Sequence, residues 1–339
     1  MSAPRIAVVV ATYGRRDRLL RLLDALVDQH VDGGFEVIVV DDASPDGTAD
    51  AATTAAARLP YPLIVLRQDR NTGPAGARNV GWRRSSAPLV AFTDDDCVPR
   101  PGWLAALAGA LRDVDLALGP TTWRPEDDAL RRPWTVWMDI DHEHGYPTCN
   151  VAYRRSMLER VGGFDAEGFR YRPRRWGRSG ETPPRSINGE DTDLAWRARA
   201  LGATTTFVAD AVVDHDVEFV GFRRSLRDAR RLEGMVLLMA RHPDLRRHLG
   251  VGRFFRVPDK AALLLLLALA ALAARPRSVA NQAAVAVAGG WYVWFGHLGR
   301  PSPPRLLDWL VVLPQGFVYD TYALWVMARA SWRYRFLML

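Results

Sequence analysis

Cysteine is scarce. Cys97 and Cys149 are the only two in 339 residues, which excludes a disulfide framework and leaves no thiolate spacing for a metal centre. Lysine is scarcer: Lys260 is the one lysine among 45 basic residues, so arginine carries the net charge of +7. An arginine-rich surface suits phosphate and anionic lipid. No compact basic run interleaves with aromatics, so nucleic acid is not an expected partner. Long apolar spans are missing too. Ala261–Ala274 is an unbroken apolar run of 14 residues, about 21 Å as a helix against a hydrocarbon core of about 30 Å. Ser278–Leu298 lacks Lys, Arg, Asp and Glu over 21 residues, but Asn281, Gln282 and paired glycines make it a poor span. A strand-like run begins at Ile6 with no cleavage-site pattern before it, so the expected compartment is the cytoplasm.

What is present alternates. Ile6–Ala11 and Val37–Val40 are short β-branched runs ending abruptly in polar residues, and between them Asp17–Val27 repeats leucine at helical spacing. Thr48–Leu59 and Ala75–Arg84 read as further helices, and Leu63–Leu66 and Leu89–Phe92 as further strands. Strand–helix alternation predicts an α/β fold with right-handed parallel crossovers. Ligands in such sheets bind beyond the carboxyl ends of the strands. The polar residues gather at those ends: Thr12 and Tyr13, Asp41 and Asp42, Asn71, and Asp94 to Asp96. From Gly119 to about Asp216 the pattern is less regular, with a helix expected at Leu194–Leu201, a strand at Thr205–Val208 and a long loop over Phe169–Ile187.

The last hundred residues change character. Trp291, Trp294, Trp309, Tyr319, Tyr322, Trp325, Trp332 and Tyr334 crowd the tail, and basic residues flank the apolar runs: Arg246, Arg247, Arg253 and Arg256 before them, Arg275 and Arg277 between, Arg329, Arg333 and Arg335 after. That pattern predicts two domains, 1–235 and a helical region 236–339 that lies on the cytoplasmic face of a membrane or joins subunits in a homo-oligomer.

Chemistry concentrates at Asp94-Asp95-Asp96, where four apolar residues of strand character run into three carboxylates. Such a cluster repels itself unless a positive group occupies it, and a hard divalent cation with oxygen ligands is the natural occupant. A second acidic string, Gly189-Glu-Asp-Thr-Asp193, opens the Leu194 helix, where it serves either catalysis or N-terminal capping.

Five motifs occur in order: Val8-Val-Val-Ala-Thr-Tyr13, Val39-Val-Asp-Asp-Ala-Ser44, Asn71-Thr-Gly-Pro-Ala-Gly-Ala-Arg-Asn79, Phe92-Thr-Asp-Asp-Asp96 and Gly189-Glu-Asp-Thr-Asp-Leu194. Together they resemble the family 2 glycosyltransferases of GT-A fold, over roughly residues 5–220. Cys149-Asn-Val-Ala-Tyr-Arg-Arg155 and Val161-Gly-Gly-Phe-Asp165 also match that family, whereas the stretch from Asp165 to Glu190 is longer than its usual spacing.

The resemblance implies a mixed, mainly parallel central sheet and an inverting transfer from a nucleotide-sugar, UDP-linked by preference. It implies that Asp41, with Thr12 and Tyr13, contacts the base, that Asp42 lies in the same pocket, and that Arg78 lies near the diphosphate or the acidic cluster. Asp94 and Asp96 match Asp-x-Asp, with Asp95 between them. Asp96 would bind Mg²⁺ or Mn²⁺, Asp94 the ribose or a metal-bound water, and His215 would be a further ligand. Asp191 would be the general base, with Glu190 the alternative. The implied acceptor is a hydroxyl of a saccharide, lipid-linked, cell-envelope or peptide acceptor. Two other classes stay open: a sugar nucleotidyltransferase, against which Ala11-Thr-Tyr-Gly-Arg-Arg16 lacks a glycine- and lysine-rich phosphate loop, and a non-catalytic carbohydrate- or lipid-binding scaffold.

Overall fold

The β-branched runs pair as parallel strands β1 (Ile6–Thr12), β2 (Phe35–Asp41), β3 (Leu63–Arg67) and β4 (Leu89–Asp94) in the computed structural model, which describes residues 4–142, 145–171, 185–249, 257–294 and 309–338. Helices α1 (Arg16–Ala25), α2 (Thr48–Ala55) and α3 (Pro74–Arg84) connect them, each within a few residues of its sequence expectation. Leu19, Leu22 and Leu23 of α1 are fully buried, each contributing about 1.5–3 kcal/mol of transfer free energy. On α3, a Cβ at Gly81 would stand 2.5 Å from Val9 Cγ1 and 3.1 Å from Val40 Cγ2, so only glycine lets this helix lie so close to the sheet.

After β4 come β5 (Cys97–Pro99), α4 (Trp103–Ala110), β6 (Leu116–Leu118) and β7 (Thr121–Thr122). Among the described residues the main sheet has seven strands, in the order Thr205–Phe207, β6, Val151–Arg154, β4, β1, β2, β3. Val151–Arg154 runs antiparallel to β4 and β6, and the other pairs are parallel, which is the mixed, mainly parallel sheet expected. A smaller sheet pairs β5 and β7 on either side of Val213–His215, with His215 opposite Cys97. This pairing sets a late histidine beside the acidic turn.

Two further helices frame the site. One is α5 (Arg155–Val161) and the other is α6 (Glu190–Ala200), entered through Gly189 at φ +112°. The long loop expected over Phe169–Ile187 lies mostly at 172–184, outside the described residues. A two-residue antiparallel pair, Arg170–Tyr171 with Arg185–Ser186, joins its ends.

The chain divides into two units, Met1–Asp128 with Trp137–Val217, and Ala129–Val136 with Glu218–Leu339. Residues 218–235, read from the sequence as the end of the first domain, pack in the second. Its strand pair Glu218–Phe219 with Thr135–Val136 explains why: Trp134 rings meet Phe222 and Tyr319, drawing a short internal segment into the helical unit. The helices there include Val257–Ala274, Val279–Val293 and Trp309–Tyr334. Residues 295–298 of the expected apolar segment, and Arg253 and Arg256 of the basic flank, lie outside the described residues. Among the described residues no helix is long and apolar enough to cross a membrane.

Candidate active site

The strand register puts the polar motifs along one edge. Thr12 pairs with Asp41 across β1 and β2, and Ala11 with Asp94 across β1 and β4, so all three strands deliver their last residues to the carboxyl end of the sheet. Thr12 is buried there and its hydroxyl donates to Asp95 at 2.7 Å, whereas Tyr13 is exposed. Asp41 is fully buried and accepts the Ser44 backbone N–H, 3.3 Å from either oxygen.

Asp42 turns inward to the chain that follows β3. Its carboxylate accepts from the backbone N–H of Thr72 at 2.7 Å, of Gly73 at 2.8 Å, and from Gln68 Nε2 at 2.7 Å. Burial pushes its pKa up while the Thr72 and Gly73 bonds hold it down. Asp42 thus fixes the entrance of α3, and α3 carries Arg78.

Arg78 joins the two acidic motifs. Its guanidinium lies 2.7 Å from Asp94 and 3.4 Å from Glu190, and it is almost fully buried. Burial alone would lower its pKa, but Asp94 and Glu190 outweigh that and leave it raised. One buried cation therefore holds the end of β4 and the start of α6 together. Asp191, the next residue, is half-buried and accepts the Thr192 backbone N–H at 2.8 Å. Burial raises its pKa above the usual carboxylate range, and Asp94 adds to the rise, against the Thr192 bond and Arg78. A carboxylate so raised is a better proton acceptor than an exposed one.

On the other side of Asp94, Asp96 shares its two oxygens between different partners. Oδ1 stands 3.4 Å from His215 Nε2, and Oδ2 is 2.7 Å from Arg15 Nη1. His215 Nδ1 lies 2.8 Å from the Asp216 carbonyl oxygen. A carbonyl only accepts, so Nδ1 carries a hydrogen and Nε2 is left facing Asp96 Oδ1. Two lone-pair atoms 3.4 Å apart repel unless a proton or cation joins them. Asp96, Cys97 and His215 offer ligand atoms all within 4.8 Å of one another. Burial, with Cys149 beside it, pushes the Cys97 thiol up and keeps it protonated. The carboxylate fits Mn²⁺ or Mg²⁺, and the imidazole beside it favours Mn²⁺ over Mg²⁺. Asp94, expected near the same ion, is instead paired with Arg78. Asp95 is held by Thr12 and Arg15, and burial nevertheless lifts its pKa to about 6.

The sequence reading passed over the arginines around this cluster. Arg15 bridges Asp95 and Asp96, Arg18 lies 3.6 Å from both Asp96 and Asp216, Arg21 pairs with Asp216, and Arg124 reaches Asp216 at 3.4 Å. Arg15, Arg18 and Arg21 recur every three residues from the end of β1, which is the available signal. It has meaning only once β1 and β4 are known to be neighbours. Asn150 was also missed as a support. Its side chain donates to the carbonyls of Pro120 and Ala211, each at 2.7 Å, and accepts from Trp103 Nε1 at 2.8 Å, tying the sheet to the turn before His215.

Comparison with known proteins assigns this geometry to a family. A model of glycosyl transferase family 2 matches residues 7–164. The Haloferax volcanii glycosyltransferase AglE is 26% identical over 222 residues, covering 62% of this chain and 67% of that protein. This chain belongs to glycosyl transferase family 2. As a family 2 glycosyltransferase it is also 30% identical over 259 residues to a pre-mycofactocin glycosyltransferase of Mycobacterium tuberculosis, covering 70% of this chain and 48% of that one. A validoxylamine A glucosyltransferase of Streptomyces hygroscopicus is 32% identical over 242 residues, covering 60% and 53%. The chain thus spans about half the length of the latter two. A mannosyltransferase of Pyrobaculum calidifontis, solved with GDP-Man and Mn²⁺, shares the GT-A fold with a TM-score of 0.63 at 22% identity, covering 98% of this chain and 88% of that one.

Proposed function

We propose that this glycosyltransferase is metal-dependent and inverting, moving a sugar from a nucleotide donor, UDP-linked by preference, to an acceptor hydroxyl. The observation that carries the reading is the Arg78 bridge: Asp94 and Glu190 share one buried guanidinium, so the Asp-x-Asp turn and the Asp191 turn face a common edge of the sheet. Asp96 and His215 would hold Mn²⁺ or Mg²⁺, which supplies positive charge to the departing nucleoside diphosphate. Exposed Tyr13 offers a ring for the base, and Thr12 and Asp41, buried and paired across β1 and β2, end their strands at the same edge. Asp191 takes the proton from the acceptor oxygen as that oxygen attacks the anomeric carbon from the face opposite the diphosphate. Glu190, paired with Arg78, holds the start of α6 in place for this step.

Product formation tests the reading. Incubation with a panel of UDP-sugars, and with GDP-mannose as the alternative donor, should release nucleoside diphosphate with Mn²⁺ or Mg²⁺ present and stop with EDTA. Turnover untouched by EDTA removes the metal, and a chain inert toward every donor with every saccharide or lipid-linked acceptor favours a binding scaffold.

The helical unit supports attachment to an anionic membrane surface. Val311, Val318, Trp325 and Trp332 are all exposed and stand seven residues apart on Trp309–Tyr334, one stripe along the helix. Arg329 lies over the Trp325 ring, and Arg275 and Arg277 are exposed between the two preceding helices. Apolar stripe and cations together fit an interfacial helix, which favours a lipid-linked or cell-envelope acceptor. The chain should sediment with vesicles containing phosphatidylglycerol and less with neutral ones. Trp325→Glu with Trp332→Glu should abolish sedimentation, and a concentration-dependent dimer with no vesicle binding would assign the stripe to oligomerisation instead.

A further inference from the structure

We propose that Arg15 is an exchangeable counter-cation of the Asp95–Asp96 pair. It neutralises these carboxylates until a divalent ion and a nucleoside diphosphate arrive, then transfers its guanidinium to the diphosphate. The inference rests on the metal-site reading above and adds to it the residue that ion entry must displace.

One nitrogen makes the bridge. Arg15 Nη1 lies 2.9 Å from Asp95 Oδ1 and 2.7 Å from Asp96 Oδ2. The two carboxylates are nearly buried, with side chains 4% and 8% exposed, whereas the Arg15 side chain is 36% exposed. The movable partner is therefore the arginine. Its backbone also stands outside the helix: Arg15 is the residue before α1, following Gly14 at φ +63°, so its side chain can turn without disturbing helical packing. Its neighbours are directed mainly at a different carboxylate, Asp216. Arg21 and Arg124 hold Asp216, and Arg18 is shared between Asp216 and Asp96 at 3.6 Å each.

The charges give the exchange its direction. Asp96 turns Oδ1 to His215 and Oδ2 to Arg15, so a dication beside Oδ1 would face a guanidinium on the far oxygen of the same carboxylate. Like charges this close repel, and the repulsion falls when a phosphate draws the guanidinium away. Arg15 thus weakens binding of the ion alone and strengthens binding of the ion with a diphosphate. Positive coupling between the two ligands follows, and accidental loading by the metal alone is disfavoured.

Mn²⁺ binding, followed by electron paramagnetic resonance of the free ion with and without UDP, tests this without any turnover. Arg15→Ala should bind Mn²⁺ alone about five- to tenfold more tightly than the parent, and UDP should raise its Mn²⁺ affinity less than it raises the parent's. A purely structural arginine would, when removed, weaken binding in both conditions. Unchanged or weaker Mn²⁺ affinity in Arg15→Ala, in a protein whose His215→Ala variant binds the ion less tightly than the parent, overturns the exchange and leaves the metal site standing. No Mn²⁺ binding by the parent overturns both. Should Arg15→Ala fail to fold, Arg15→Gln, which keeps most of the stem and loses the charge, is read by the same criterion.

Discussion

Asp191→Asn should bind a nucleotide-sugar about as well as the parent and transfer the sugar about 10²–10⁴-fold more slowly. The substitution is nearly isosteric and keeps an oxygen to accept the Thr192 N–H, so the start of α6 should stay in place. What is lost is the ability to take a proton. Burial and the nearby Asp94 raise the Asp191 pKa, with Thr192 and Arg78 opposing. The active form of a base is the ionised one, so a raised pKa moves the acid limb of the rate profile upward, and the parent should lose activity as pH falls through it. The residual rate of Asp191→Asn should lack that limb. Initial rates across pH, with donor affinity measured separately, check both statements. A variant that keeps a tenth or more of the parental rate would pass the role to Glu190, although Glu190 already spends an oxygen on Arg78.

Asp96→Ala should have the opposite signature. It removes the carboxylate that turns Oδ1 to His215, so Mn²⁺ affinity should fall by about 100-fold or more, and donor binding should fail specifically where it depends on the metal. His215→Ala should weaken the ion about 10- to 100-fold, since one nitrogen donor goes while Asp96 remains. Isothermal titration with Mn²⁺, with thermal melts as a control for folding, separates the two variants from Asp191→Asn. Retained Mn²⁺ affinity in both would place the ion elsewhere.

Much of this arrangement was legible in the sequence because parallel strands end where their sequence turns from β-branched to polar. Ile6–Thr12, Phe35–Asp41 and Leu89–Asp94 show that change, and their shared edge follows from strand–helix alternation. Gly189-Glu-Asp opening a helix was equally readable, since a glycine before acidic first-turn residues is local chemistry. Non-local pairing was not. Val151–Arg154 enters the sheet between β4 and β6 against the direction of its neighbours, and nothing in four residues announces which strands they will join. The roles of Asp42 and Arg15 were hidden for the same reason. One is occupied by backbone N–H groups 30 and 31 residues away, the other by carboxylates 80 and 81 residues away. Thr135–Val136 joins the helical unit through a strand 83 residues further along, a link that a linear reading of domain boundaries cannot contain.

Anomalous diffraction at the manganese edge, from crystals grown with Mn²⁺ and an unreactive UDP-sugar analogue, would test the metal and the base together. The expected result is one strong peak bonded to Asp96 and His215 and to the diphosphate, with the anomeric carbon lying between that peak and the Asp191 carboxylate. A manganese peak away from Asp96 and His215, or a sugar whose anomeric carbon faces away from Asp191, would contradict it.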